Sequence, residues 1–205
     1  MLTSADTIRA LTTSKHLANK DVMKVLDPVM ISTSGHTLLP DDAIEALKGL
    51  FEVVDWLTPN IPEAQRLAGL EEGVDGAKGL VELARKTAGS CNVPIVLLKG
   101  GHHPISRDQV RGLGEGYRVI YEEGDDEEDT IECLNLWRKS VLPDQDSDKV
   151  VLDILVQRGT DVPTLFVGKY VESSSTHGTG CTLSSAIAAA NAKLPADKRG
   201  KSSQS

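Results

Sequence analysis

Apolar and polar positions follow two different periods along this chain. Over 4–19, "SADTIRALTTSKHLAN", Ile8, Leu11 and Leu17 share one side behind a serine able to cap, which predicts a helix. "VMKVLDP" at 22–28 and "EVVDWLTPN" at 52–60 are short apolar runs closed by proline, the pattern of strands. Between them "DDAIEALKGLF" at 41–51 predicts a second helix, with Pro40 before it and acidic residues in its first turn, where they complement the helix dipole. "PEAQRLAG" predicts a short helix with Pro62 in its first turn and Gly69 as its stop. "DGAKGLVELARKTAGS" reads as a further helix. "PIVLLKGG" at 94–101 holds four apolar residues in a row, the mark of a strand covered on both faces.

Alternating helices and strands of this kind predict an α/β fold with a mostly parallel central sheet. Ligands in such sheets sit beyond the carboxyl ends of the strands. Asp27, Asn60, Lys99 and Gly100 all fall at such ends. The pattern breaks from Ser106 to Lys149, and within that segment the acidic run Glu122 to Asp129 reads as a solvated loop with no EF-hand spacing. "KVVLDILVQRG" and "TLFVGKYVES" then read as paired strands. The tail from Lys193 is polar.

Bulk properties narrow the function. The 205 residues are 40% hydrophobic and 25% charged, which suits one globular domain. A formal net charge of −8 argues against nucleic acid as the main ligand. No apolar run approaches the ~20 residues that span a bilayer. The three cysteines, Cys91, Cys133 and Cys181, are widely spaced and contain no CxxC or zinc spacing, as expected of a protein in a reducing compartment. The reading is a cytoplasmic protein with no membrane role.

The densest chemistry lies in "STHGTGCTLSSAIAAA", Ser175 to Ala190. Glycines ahead of a helix allow a tight turn and a close approach to a ligand. The first N–H groups of that helix, with its dipole, form an anion site. A cysteine there is favoured as a thiolate and can take a proton from an attacking hydroxyl. The alternatives are a plain strand-to-helix turn and a small buried cysteine. The spacing is not that of a Walker A loop.

The ordered segments "LDPVMISTSGHTLL", "LTPNIPEA", "VLLKGGH" and "STHGTGCTLSSAIAA" closely resemble the hydroxymethylpyrimidine/phosphomethylpyrimidine kinases of thiamine biosynthesis, within the ribokinase-like superfamily. The resemblance runs from about Met1 to Leu194 and is loose over 106–170. It implies a ribokinase-like three-layer fold lacking the family's N-terminal strands and C-terminal helices, as a partial kinase domain over 1–194 with an acidic insertion at about 106–149 and a disordered tail over 195–205. It implies ATP as co-substrate, Mg2+, and a small pyrimidine as the molecule phosphorylated, and leaves homo-oligomerisation open. Residue by residue, Cys181 matches the catalytic base, and Gly178, Thr179 and Gly180 match the anion hole. Lys99 matches the lysine that neutralises phosphate charge, and Asn60 and Glu63 match an NxxE pair near magnesium and phosphates. Asp27 matches an aspartate near the metal, Thr176 a nucleotide contact, and Val29 and Met1 contacts to the pyrimidine. A pyridoxal kinase shares the cysteine loop and is the nearest alternative. A non-catalytic kinase fragment that binds nucleotide or a partner is the alternative of another class.

Overall fold

A computed structural model describes residues 4–30, 39–70, 73–101, 103–121, 148–172 and 178–194. Helix α1 spans Ala5–Thr12 and starts at Ser4, whose hydroxyl accepts the Thr7 N–H. The expected helix over 4–19 stops here. The Thr12 hydroxyl bonds back to Ile8 O, and that of Thr13 bonds to Arg9 O and Ala10 O. Such side-chain-to-backbone bonds compete with helix propagation. Helix α2 (Asp41–Lys48) runs on into a 3-10 turn over Gly49–Glu52, as the 41–51 pattern predicts. Helices α3 (Ile61–Leu67) and α4 (Gly76–Cys91) also fall where the sequence places them.

The strands are β1 (Val25–Leu26), β2 (Trp56–Leu57), β3 (Ile95–Leu98), β4 (Ile105–Ser106), β5 (Arg118–Tyr121), β6 (Lys149–Gln157) and β7 (Thr164–Lys169). They form one sheet in the order β1-β2-β3-β6-β7-β5, with β4 also paired to β6. β1, β2 and β3 are parallel, and β5 is parallel to β7. β6 is antiparallel to β3, β4 and β7. Among the described strands β6 therefore runs alone against the rest, and the sheet is mostly parallel as expected.

Both faces of the sheet are covered, which explains the unbroken apolar run of β3. Leu57, Val96, Leu98, Ile154, Leu165 and Val167 point to the side of α1 to α4. Trp56, Leu97, Leu155 and Phe166 point the other way, against Leu183 and Ile187 of the last helix, α6 (Thr179–Lys193). The result is three layers. Helix α4 buries Leu80, Val81, Leu83, Ala84, Thr87 and Cys91 along one stripe. Each large apolar side chain so buried contributes about 1.5–3 kcal/mol. Leu80 is fully enclosed, so Leu80→Ala removes about 2–5 kcal/mol.

The segment from Ser106 is more regular than its sequence suggests. Ser106 ends β4 and caps helix α5 (Arg107–Arg111), and β5 adds an edge strand to the sheet. The acidic run Glu122 to Asp129 and the tail from Pro195 lie outside the described residues. Among the described residues no helix is long and apolar enough to cross a membrane.

Candidate active site

The three parallel strands β1 to β3 deliver their next residues to one end of the sheet. β1 is followed by Asp27, β2 by Thr58 and then Asn60, and β3 by Lys99. An isolated parallel bridge joins Asn60 to Lys99, and the Lys99 N–H donates to Pro59 O at 2.8 Å. Lys99 Nζ donates to Asp27 Oδ1 at 2.8 Å, in a pair whose side chains are 15% and 12% exposed. A pair this enclosed feels a lower effective dielectric than one at the surface.

Helix α6 points its N-terminus at that pair. Its cap, Gly178, has φ +83°, a left-handed conformation that glycine adopts without strain. The ladder of α6 begins with Thr182 N–H donating to Gly178 O at 2.9 Å. The N–H groups of Gly180 and Cys181 precede it and lie at the positive end of the helix dipole. A methyl group on Gly180 would come within 3.0 Å of both Asp27 Oδ2 and Lys99 Nζ. The second glycine of the GTG sequence therefore lets the helix backbone sit against the charged pair. Cys181 follows directly and is exposed, as is Thr179.

Asn60 and Glu63 form a capping box on α3. The Asn60 side chain accepts the Glu63 N–H at 2.9 Å, and Glu63 Oε2 accepts the Asn60 N–H at 2.8 Å. Glu63 is only 2% exposed. Burial pushes its pKa up to about 7, against the lowering effects of the Asn60 N–H, Lys99 and the Met30 backbone, while the Asp27 charge raises it further. Glu63 thus shares an electrostatic environment with both members of the ion pair.

Val29 sits in the turn after Asp27, its N–H donating to Asp27 O at 2.9 Å. Met1 and Thr176 lie outside the described residues. The structure thus gathers Asp27, Asn60, Glu63, Lys99, Gly178, Gly180 and Cys181 at one end of the sheet.

Four further residues, Gly100, Asp153, Thr58 and Ser184, shape this end. Gly100 N–H donates to Asp153 Oδ1 at 2.8 Å, and a methyl on Gly100 would stand 2.3 Å from Leu152 O. Glycine is therefore required where β3 leaves β6. Thr58 and Ser184 meet through their hydroxyls at 3.1 Å under the start of α6. Their polar character inside an otherwise apolar pattern was the available signal, but their partnership needs the fold.

Similarity to known proteins places the chain at two levels, fold and family. The fold is that of small-molecule kinases of the pyridoxal kinase type. A pyridoxal kinase of Bacillus subtilis in an ADP complex superimposes with a TM-score of 0.61 at 22% identity, over 97% of this chain and 58% of that one. A pyridoxal kinase of Leishmania donovani, also with ADP, gives 0.56 at 18% identity, over 96% of this chain and 54% of that one. The family model for phosphomethylpyrimidine kinase matches residues 1–114 and 127–198, and the chain belongs to that family. A hydroxymethylpyrimidine/phosphomethylpyrimidine kinase of Saccharomyces cerevisiae is 30% identical over 165 residues, 80% of this chain and 23% of that protein. A thiamine biosynthesis multifunctional protein of Corynebacterium efficiens is 32% identical over 199 residues, 97% of this chain and 21% of that protein. The chain thus spans under a quarter of the length of these curated relatives.

Proposed function

We propose that this chain carries the phosphoryl-transfer site of an ATP-dependent kinase that phosphorylates the hydroxymethyl group of 4-amino-5-hydroxymethyl-2-methylpyrimidine, and then the resulting monophosphate. The observation that carries the reading is the Lys99–Asp27 pair pressed against Gly180, one residue before Cys181. Family membership supports the substrate, and likeness of fold to kinases solved with ADP supports the nucleotide.

Phosphoryl transfer asks the protein mainly for positioning and charge stabilisation. Lys99 faces the transferring group and balances the charge on its oxygens. The N–H groups of Gly180 and Cys181 receive the oxygens of that group as charge develops, already oriented by the helix. Cys181 is the proposed base, its sulfur taking the proton of the substrate hydroxyl as that oxygen attacks phosphorus. Asn60 holds the first turn of α3, and with it Glu63, beside the phosphates. Val29 is assigned to the pyrimidine, and the family match assigns Met1 to the same substrate and Thr176 to the nucleotide.

Magnesium fits this donor set. It takes oxygen ligands, commonly one or two carboxylates completed by substrate phosphates. Asp27 and Glu63 are two carboxylates near enough that the charge of one raises the pKa of the other. They would hold Mg2+ with the phosphate oxygens, and the ion would neutralise charge on the nucleotide. The same reading makes 1–194 one partial kinase domain.

The test is a coupled kinase assay of the protein with ATP and Mg2+. Hydroxymethylpyrimidine, its monophosphate and pyridoxal are offered in parallel. Phosphorylation of both pyrimidines, well above pyridoxal, is the expected result. Turnover of pyridoxal alone makes the protein a pyridoxal kinase. Nucleotide binding without transfer to any acceptor makes it a non-catalytic member.

A further inference from the structure

We infer that Thr58 and Ser184 are positioning residues that fix the start of α6 against the Lys99–Asp27 pair. This inference rests on the kinase reading for its consequence in turnover, but not for its geometry. Thr58 is fully buried and Ser184 is 8% exposed. Ser184 Oγ donates to Gly180 O at 2.9 Å. A hydroxyl has one proton to give, and Ser184 gives its own to Gly180 O. At the 3.1 Å contact Thr58 therefore donates and Ser184 accepts, in preference to the longer 3.5 Å contact of Thr58 Oγ1 with Leu26 O. Thr58 is itself anchored, its N–H donating to Leu26 O at 3.0 Å. Leu26 precedes Asp27. A short chain of polar contacts therefore runs from the residue before Asp27, through two hydroxyls, to the carbonyl of the glycine whose bare Cα leaves room for Asp27 and Lys99.

The rest of the seat of α6 is apolar. Leu183 and Ile187 pack on Trp56, Leu97, Leu155 and Phe166. Apolar burial is strong but non-directional, so it holds the helix to the sheet without fixing its position along its own axis. A hydrogen bond is directional and weakens steeply when misaligned. The hydroxyl pair supplies the axial register, and an error there moves the Gly180 and Cys181 N–H groups and the Cys181 thiol together. Small misplacements of reacting groups have large kinetic effects. Burial also keeps water from substituting for either hydroxyl.

Thr58→Val removes the hydroxyl and keeps the shape, and Ser184 keeps its bond to Gly180 O. Thr58→Ser keeps the hydroxyl. The whole chain is compared in both forms by amide hydrogen exchange and by steady-state kinetics per folded molecule. Exchange at Thr182 to Ser184 should rise about tenfold in Thr58→Val, while Val96 to Leu98 of β3 stay within about twofold, because opening is local. The kcat should fall by about tenfold with KM held within about twofold, and Thr58→Ser should match the parent on both. Equal rises in α6 and β3, or no rise at Thr182 to Ser184, would reduce the pair to an ordinary core contact. Local exchange with unchanged kcat would remove its role in turnover. A parent protein that phosphorylates no acceptor, with the local exchange pattern intact, sinks the kinase reading and leaves the positioning role standing.

Discussion

Lys99 and Asp27 are bonded at 2.8 Å, and both touch the position where Gly180 would carry a side chain. A lysine held by a carboxylate at a helix N-terminus is pre-aimed. Its ammonium is already desolvated and oriented, so little reorganisation remains when phosphate arrives.

Lys99→Ala should therefore lower kcat far more than it raises KM. One lost electrostatic contact to a transition state often costs ~10²-fold, and that is the expected fall. Steady-state kinetics with saturating ATP checks it. A kcat within about threefold of the parent would place Lys99 outside the site.

Gly180→Ala tests the close approach. The added methyl would meet Asp27 Oδ2 and Lys99 Nζ at 3.0 Å. Alanine is a better helix former than glycine by about 1 kcal/mol, so the helix itself is not weakened. Turnover should fall by more than about tenfold with little change in melting temperature. Intact activity would show that the pair swings aside and that its contact with the helix is incidental.

The cysteines should separate by reactivity. Cys181 is exposed, whereas Cys91 is buried and its thiol is pushed up to about 11 by desolvation, with Lys48 opposing. Near neutral pH a thiol reagent should modify Cys181 and spare Cys91 in the folded protein, as peptide mapping after brief alkylation will show. Cys181→Ser should lose most activity, because a hydroxyl is a far weaker base. Cys181→Asp should retain part of it, since a carboxylate can accept the same proton. A fully active Cys181→Ser variant would remove the proposed base.

Glu63 sets a pH dependence of stability. Its folded pKa lies near 7 and its ordinary value is 4.5. A group raised on folding contributes fully below its unfolded value, and the contribution is lost as pH rises through the folded one. In metal-free solution Glu63 thus favours the folded state below pH ~4.5 and opposes it above pH ~7, by about 3 kcal/mol between the two limits. Glu63→Gln keeps an acceptor for the Asn60 N–H and removes the charge. The stability difference, variant minus parent, should grow in favour of the variant from pH ~5 to ~8 in denaturant titrations. A difference flat across that range would mean Glu63 is not desolvated in solution.

Much of the architecture was legible because local signals agreed with the fold. The run Ile95–Leu98 is unbroken by polar residues because helices cover both faces of β3. Asn60 and Glu63 carry two signals at once, a family motif and a capping box, and the structure realises the box. The start of α5 was also open to reading. Ser106 and Gln109 have capping-box spacing and form one, at the start of the segment where the helix–strand pattern breaks. The end of α1 was obscured because Thr12 and Thr13 tolerate a helix yet bond back to it. β5 was hard to see because an edge strand with exposed Val119 and Tyr121 has no alternating pattern. The Thr58–Ser184 contact joins positions 126 residues apart, which no local pattern encodes.

The candidate site is assembled across long stretches of chain. Asp27 and Lys99 are 72 residues apart, and α6 arrives from the far end of the sequence. The entropy of closing such loops grows only slowly with their length, so a distant helix is not costly to recruit. Its apolar hold on the strands runs through Leu183 and Ile187. Should α6 lift while β1 to β3 stay paired, the anion cradle and the proposed base leave together and the strands remain. Heat should therefore silence turnover in a step earlier than the loss of the sheet. On the kinase reading, turnover reports on the docking of one helix, and a melting curve followed through the strands will overstate the temperature to which it persists.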